Sequence, residues 1–210
     1  PPAPTDENSP EQVAALCATP GPGVNWAATV VSCPKLSDYR LFQNGDPLGT
    51  PNGGGIPYDL TTPLFSDYAT KYRVLFVPPG SQAAFDPEKV LDLPVGSILA
   101  KTFTFRNDLA NPALGERLVE TRLLVRRPSG WAGLPYVWAD DRSEAYFTPL
   151  GDARQVTFRH TDGELRTIDY RIPNVTQCTQ CHGISTDASR GDVPIGPKAR
   201  LLNKLYPYPG

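Results

Sequence analysis

Residues 155–172 read Gln-Val-Thr-Phe-Arg-His-Thr-Asp-Gly-Glu-Leu-Arg-Thr-Ile-Asp-Tyr-Arg-Ile. Val156 and Phe158 fall on one side of a pleated strand with His160, and a second alternating run covers residues 165–172. Between them, Thr161-Asp162-Gly163-Glu164 supplies the clearest hairpin turn in the chain. The same kind of run recurs upstream over residues 72–77, 98–105, 118–126, 134–138 and 144–148, separated by turn signals such as Pro78-Pro79-Gly80 and Pro128-Ser129-Gly130. In residues 98–105, Phe103 and Phe105 share one face, and Thr102 and Thr104 the other. Closely spaced short strands of this kind predict a mainly β fold, an antiparallel sandwich or open barrel with few short helices.

The composition agrees. The 18 glycines and 24 prolines make up a fifth of the 210 residues, which leaves little room for long helices, while 10% aromatics is too rich for disorder. One helix is signalled near the start: Ser9 as cap, Pro10 at the first helical position, Gln12 completing a capping box, and Val13, Ala14, Leu16 and Cys17 as the apolar face until Pro20. A last helix is expected over residues 198–205. Residues 43–63, dense in Asn-Gly, Asp-Pro and Gly-Gly, are expected to lack regular structure. Residues 1–10 read as a Pro-rich arm and residues 11–210 as a single domain, with no repeat or interior linker. A net charge of −2 argues against nucleic-acid binding, and no apolar run is long enough for a transmembrane segment.

Beyond the hairpin lies the one local sequence with a sharp chemical meaning, Cys178-Thr179-Gln180-Cys181-His182. A C-x-x-C-H segment is the attachment site of c-type haem: each thiol adds to one vinyl group, and the adjoining histidine is directed at the iron. A structural zinc site would want two separated ligand pairs, and His182 lies too close to Cys181 to act as an independent ligand. A redox dithiol would want a βαβ context, which is lacking before residue 178. A plain disulfide leaves the histidine without a purpose. The reading is therefore one covalent haem c in a C-terminal haem-binding segment, with His182 as proximal ligand.

Haem is joined to thiols outside the cytoplasmic membrane, so a periplasmic or extracellular location is expected. The Pro1-Pro2-Ala3-Pro4 start fits a chain whose signal peptide has been removed. Cys17 and Cys33 are then expected to form a disulfide, closing a loop of about 15 residues.

The opposite face of the iron is more open. Methionine is absent from the chain, so a His/Met pair is excluded. His160 is the only other histidine and is the candidate second metal ligand. Reaching the motif requires the chain to run about 26 Å down the second hairpin strand and return along residues 173–181, extended over about 30 Å at most. Lys198, a tyrosine, a neighbouring molecule or an open site are the alternatives. An open site would make the protein a peroxidase-like enzyme or a sensor, with Arg159 or Arg171 stabilising charge near the iron. Phe158, Tyr170, Ile172 and Ile184 are candidate haem walls, or ordinary β core. Asp140-Asp141 point oppositely on a strand, Gly53-Gly54-Gly55 lacks the lysine of a phosphate loop, and Asn174-Val175-Thr176 is an incidental glycosylation pattern.

Several phrases carry a wider resemblance: residues 60–68 (LTTPLFSDY), 94–103 (PVGSILAKTF), 120–124 (ETRLL), 134–138 (LPYVW), 172–174 (IPN) and 195–200 (IGPKAR). Over roughly residues 36–206 the chain resembles a family of exported bacterial c-type cytochromes of poorly known function. Longer members carry a further cytochrome domain or a sugar-dehydrogenase-like neighbour; this chain has one haem motif. The resemblance implies thioether bonds at Cys178 and Cys181, axial His182, and extracytoplasmic electron transfer with a redox partner protein. A homo-oligomer or filament is a further expectation, since the Pro-rich start and Tyr-Pro end would need a neighbour to tie them down.

Overall fold

The structure is a computed structural model in which residues 8–186 and 189–207 are described, apart from the side chains of residues 179, 184–186 and 189–192. Its N-terminal helix, α1 (Pro10–Cys17), carries the expected capping box, with the Ser9 side chain accepting from the Gln12 amide and the Gln12 side chain accepting from that of Ser9. Short 3-10 turns follow at Trp26–Val30, Leu36–Tyr39 and Gln43–Gly45. The strands are β1 (Ile56–Tyr58), β2 (Thr70–Phe76), β3 (Ile98–Arg106), β4 (Glu116–Arg127), β5 (Gly130–Trp138), β6 (Ala145–Phe147), β7 (Asp152–Arg159) and β8 (Leu165–Ile172). Helix α2 (Val175–His182), strands β9 (Gly183–Thr186) and β10 (Ser189–Asp192), and helix α3 (Ala199–Leu202) complete the chain.

The fold is mainly β and antiparallel. One sheet runs β1-β2-β3-β4-β5-β10-β9, with β6 pairing on β5; β7 and β8 form a separate hairpin, and neither sheet closes into a barrel. The expected turn is present: the His160 amide bonds to the Glu164 carbonyl, and Gly163 takes φ 87°, which a side chain would resist.

Strand register sorts residues to the two faces of the main sheet. On one face Val74, Ile98, Ala100, Leu123, Val125, Leu134 and Tyr136 meet Val24, Val31, Leu36, Tyr39 and Leu41 from the N-terminal segment. The Cys17–Cys33 disulfide staples that segment, with a Cα–Cα distance of 5.6 Å. Its buried hydroxyls are paired: that of Tyr39 donates to the Val31 carbonyl at 2.9 Å, and that of Tyr136 donates to the Cys33 carbonyl at 2.8 Å.

The opposite face is split. Toward one end, Phe103, Phe105, Val119 and Val137 pack against Val156, Phe158, Tyr170 and Ile172 of the β7–β8 hairpin, giving a two-layered region. Toward the other end, Arg73, Lys101, Arg122 and Pro135 stand side by side on β2, β3, β4 and β5.

Three expectations need correction. Residues 173–181 do not return extended; residues 175–182 are α2, because Asn174 and Gln177 cap each other's amides at 2.8 and 3.0 Å and so satisfy two groups a helix start leaves open. Residues 43–63 hold a short 3-10 turn and edge strand β1, recruited by pairing Ile56, Pro57 and Tyr58 to β2. The last helix is a single turn, Ala199–Leu202, shorter than expected. Most of the Pro-rich arm and the end of the chain from residue 208 lie outside the described residues, while Pro10 belongs to α1.

Candidate functional site

Chain direction into the motif is set by a tight crossing. Gly151 has φ 73°, and a Cβ there would meet the Ile172 carbonyl oxygen and lie 2.8 Å from the Asn174 amide nitrogen. Only glycine lets β8 end against this backbone. The Val175 amide then bonds to the Pro149 carbonyl at 3.0 Å, which anchors the first turn of α2.

Helix geometry places Cys178 and Cys181 on neighbouring positions of one side, a turn apart. Neither is in a disulfide; Cys178 is half-buried and Cys181 exposed. His182 ends the helix, and its Nδ1 lies 2.7 Å from the Val193 carbonyl oxygen. A carbonyl oxygen only accepts, so Nδ1 carries the proton and Nε2 keeps its lone pair. The Val193 amide returns a bond to the His182 backbone carbonyl at 2.8 Å, so the two residues are tied through both main chain and ring. Such support on the far nitrogen is what orients a metal-bound imidazole.

Cys178, Cys181 and His182 all line one cavity of about 620 Å³, within the range of small-molecule and cofactor sites. Leu60, Leu64, Phe65, Leu99, Pro135 and Ile195 are among its apolar lining. Leu64, Phe65 and Ile195 are also exposed, which puts them at the mouth. Arg73, Lys101, Arg122 and Tyr170 line it from the sheet and the hairpin.

Arg122 and Tyr170 meet on one carboxylate, while Arg73 and Lys101 are held separately. The Glu120 carboxylate is fully buried and accepts from Arg122 Nε at 2.8 Å, Arg122 Nη2 at 2.6 Å and the Tyr170 hydroxyl at 2.6 Å. Arg73 pairs with Asp59 at 2.9 Å. Lys101 stands between Arg73 and Arg122 in register, with Nζ 4.8 Å from the Phe103 ring centroid. Burial, and then the two guanidiniums, push its pKa down to about 7. Burial and Glu120 hold the Tyr170 phenol far above its usual value, and burial raises Tyr58 to about 12.

The residues singled out from sequence separate clearly. Cys178, Cys181 and His182 share the cavity wall, and Tyr170 and Arg171 join them. His160 does not line that cavity; it sits at the hairpin end, 3.1 Å from Asp162 and edge-on to Tyr68 with ring centroids 5.3 Å apart. Arg159 is held by Asp108 and the Gly163 carbonyl, and Lys198 leads into α3. Phe158 and Ile172 are core residues beneath the hairpin, and the side chain of Ile184 lies outside the described residues. Sequence reasoning missed Lys101, Arg122 and Glu120, because their meeting depends on pairing across strands. It also missed the capping pair Asn174 and Gln177, whose three-residue spacing was visible.

A compact metal cluster does not form here. Among the described residues, the donor atoms of Cys178, Cys181 and His182 do not gather within 4.8 Å of one another, as ligands of a shared zinc ion would. Among the described residues the one such group is Cys17, Cys33 and Asp38, and its two sulfurs are joined in the disulfide. Among the described residues no helix is long and apolar enough to cross a membrane. No family model, curated protein or solved structure matches the chain.

Proposed function

We propose that this protein is an exported monohaem c-type cytochrome that carries electrons between partner proteins, in line with its resemblance to that family. The observation that carries the reading is His182 with its Nδ1 proton engaged by Val193 and its Nε2 lone pair available, on the wall of a cavity shared with two unbridged cysteines. The donor set fits covalent haem and not zinc, since the two thiols and the imidazole are spread along a helix.

Cys178 and Cys181 would hold the group through thioether bonds, each S–H adding across one vinyl C=C with sulfur on one carbon and hydrogen on the other, so that no oxidant or reductant would be consumed. His182 would offer Nε2 to the iron, while Val193 holds the ring against rotation. Leu60, Leu99 and Pro135 would exclude water from the cavity, which favours the less charged redox state. The bound haem supplies a one-electron iron couple. Leu64, Phe65 and Ile195 at the mouth form an apolar contact surface for a redox partner. The Cys17–Cys33 disulfide is consistent with an oxidising compartment.

The test is production with an export signal in a host that attaches haem c, followed by denaturing mass spectrometry and a pyridine haemochrome spectrum. A mass excess of one haem, lost in Cys178→Ala/Cys181→Ala, is expected. A pigment-free chain at its bare polypeptide mass overturns the proposal.

A further inference from the structure

We propose that Lys101 supplies the second axial nitrogen, opposite His182, so that the iron is held by one imidazole and one amine. This inference rests on the haem reading above and adds the ligand that the motif does not specify.

Few cavity-lining groups offer the iron a lone pair. The chain has no methionine, and His160 is outside the cavity wall. A guanidinium has donors only, so Arg73, Arg122 and Arg171 have no free pair to give. The Tyr170 hydroxyl is committed to Glu120 at 2.6 Å, and Tyr58 is kept protonated by burial. Lys101 is different. Its flanking cations are each occupied, Arg73 by Asp59 and Arg122 by Glu120. Among the described residues, Lys101 Nζ has neither an ion-pair nor a hydrogen-bond partner, only the Phe103 ring face.

The surroundings suit an amine ligand. A lysine must lose its proton before it can bind a metal, and burial, followed by two adjacent guanidiniums, favours that loss. Phe103, fully buried beneath Lys101 and Arg122, fixes the height of both stems over the sheet. The same row explains why arginine would not serve: its charge is permanent, so the site would hold three cations and no donor.

The experiment compares wild type, Lys101→Ala, Lys101→Arg and His160→Ala, each carrying covalent haem. The readouts are ferric electron paramagnetic resonance and the near-infrared charge-transfer band. The wild type and His160→Ala should show the same six-coordinate, low-spin signature of histidine–amine ligation. Both Lys101 variants should lose it, becoming high-spin, and added imidazole should restore a low-spin state. Equal haem content across the four proteins shows that attachment and folding are intact. Lys101→Arg separates ligation from charge: a purely electrostatic role survives this change. A low-spin signature retained in both Lys101 variants, or a high-spin wild type, overturns the assignment. Absence of haem from the wild type instead overturns the haem reading itself.

Discussion

Replacing Arg122 with methionine should be among the most damaging single changes at the cavity. Glu120 is fully buried, and Arg122 provides two of the three hydrogen bonds that its carboxylate accepts. Hydrogen bonds to charged groups contribute about 1.5–3 kcal/mol each, and stripping the partner from a buried charge costs about 3–5 kcal/mol. Because the Arg122 side chain is 30% exposed, water can enter the gap, which places the expected loss near the lower bound, about 3 kcal/mol. For a chain of this length that corresponds to a fall in Tm on the order of 10 °C. Urea unfolding at neutral pH, followed by far-UV circular dichroism, measures it. Glu120→Gln in the Arg122→Met background removes the stranded charge while leaving an acceptor for Tyr170, and should recover about half of the loss. If the single variant lies within about 1 kcal/mol of wild type, or the double variant is no more stable than the single, the Glu120–Arg122–Tyr170 set is not the stabilising unit described here.

Three further outcomes are expected. Gly151→Ala forces a left-handed alanine against the Ile172–Asn174 backbone, so it should cost at least 1–2 kcal/mol in urea and lower the haem content by displacing the start of α2; unchanged stability and haem content would contradict the role assigned to that crossing. Cys17→Ser/Cys33→Ser should cost about 3 kcal/mol, the loop-closure value for a separation of 16 residues, and leave the haem spectrum unchanged, because the bridge lies on the other face of the sheet; an altered spectrum would show the two faces to be coupled. Burial works against the Asp59 carboxylate, but Lys204 at 2.7 Å, the Leu60 amide and Arg73 outweigh it and hold its pKa below the usual value. A depressed folded-state pKa gives stability that is present at neutral pH and lost as pH falls through that lower value, so Asp59→Asn should flatten the acid side of the thermal-stability profile; parallel wild-type and variant profiles would refute this.

Local signals carried far into the fold. Ser9, Pro10 and Gln12 marked α1, Asp162-Gly163 marked the hairpin, and alternating runs marked β2 to β8, because each depends on neighbours within a few residues. The Cys178–His182 segment also stood out locally, since its pattern is contained in five consecutive positions, and the structure brings its two cysteines and histidine to one cavity wall. What escaped were arrangements that register alone creates. Arg73, Lys101 and Arg122 each look like an ordinary polar residue of an alternating strand, and only pairing of β2, β3 and β4 makes them neighbours. The shift of register between Phe103 and Thr104 further obscures which β4 residues face which β3 residues. Strand β1 escaped for a related reason: Ile56-Pro57-Tyr58 has little propensity of its own beside three glycines, and the edge of β2 recruits it.

The main sheet divides the molecule. Its N-terminal layer, stapled by the disulfide, backs the cavity like a sealed wall, and the exposed residues at the cavity mouth all lie on the other side. A molecule approaching from the disulfide side would therefore meet a packed layer and not the cavity.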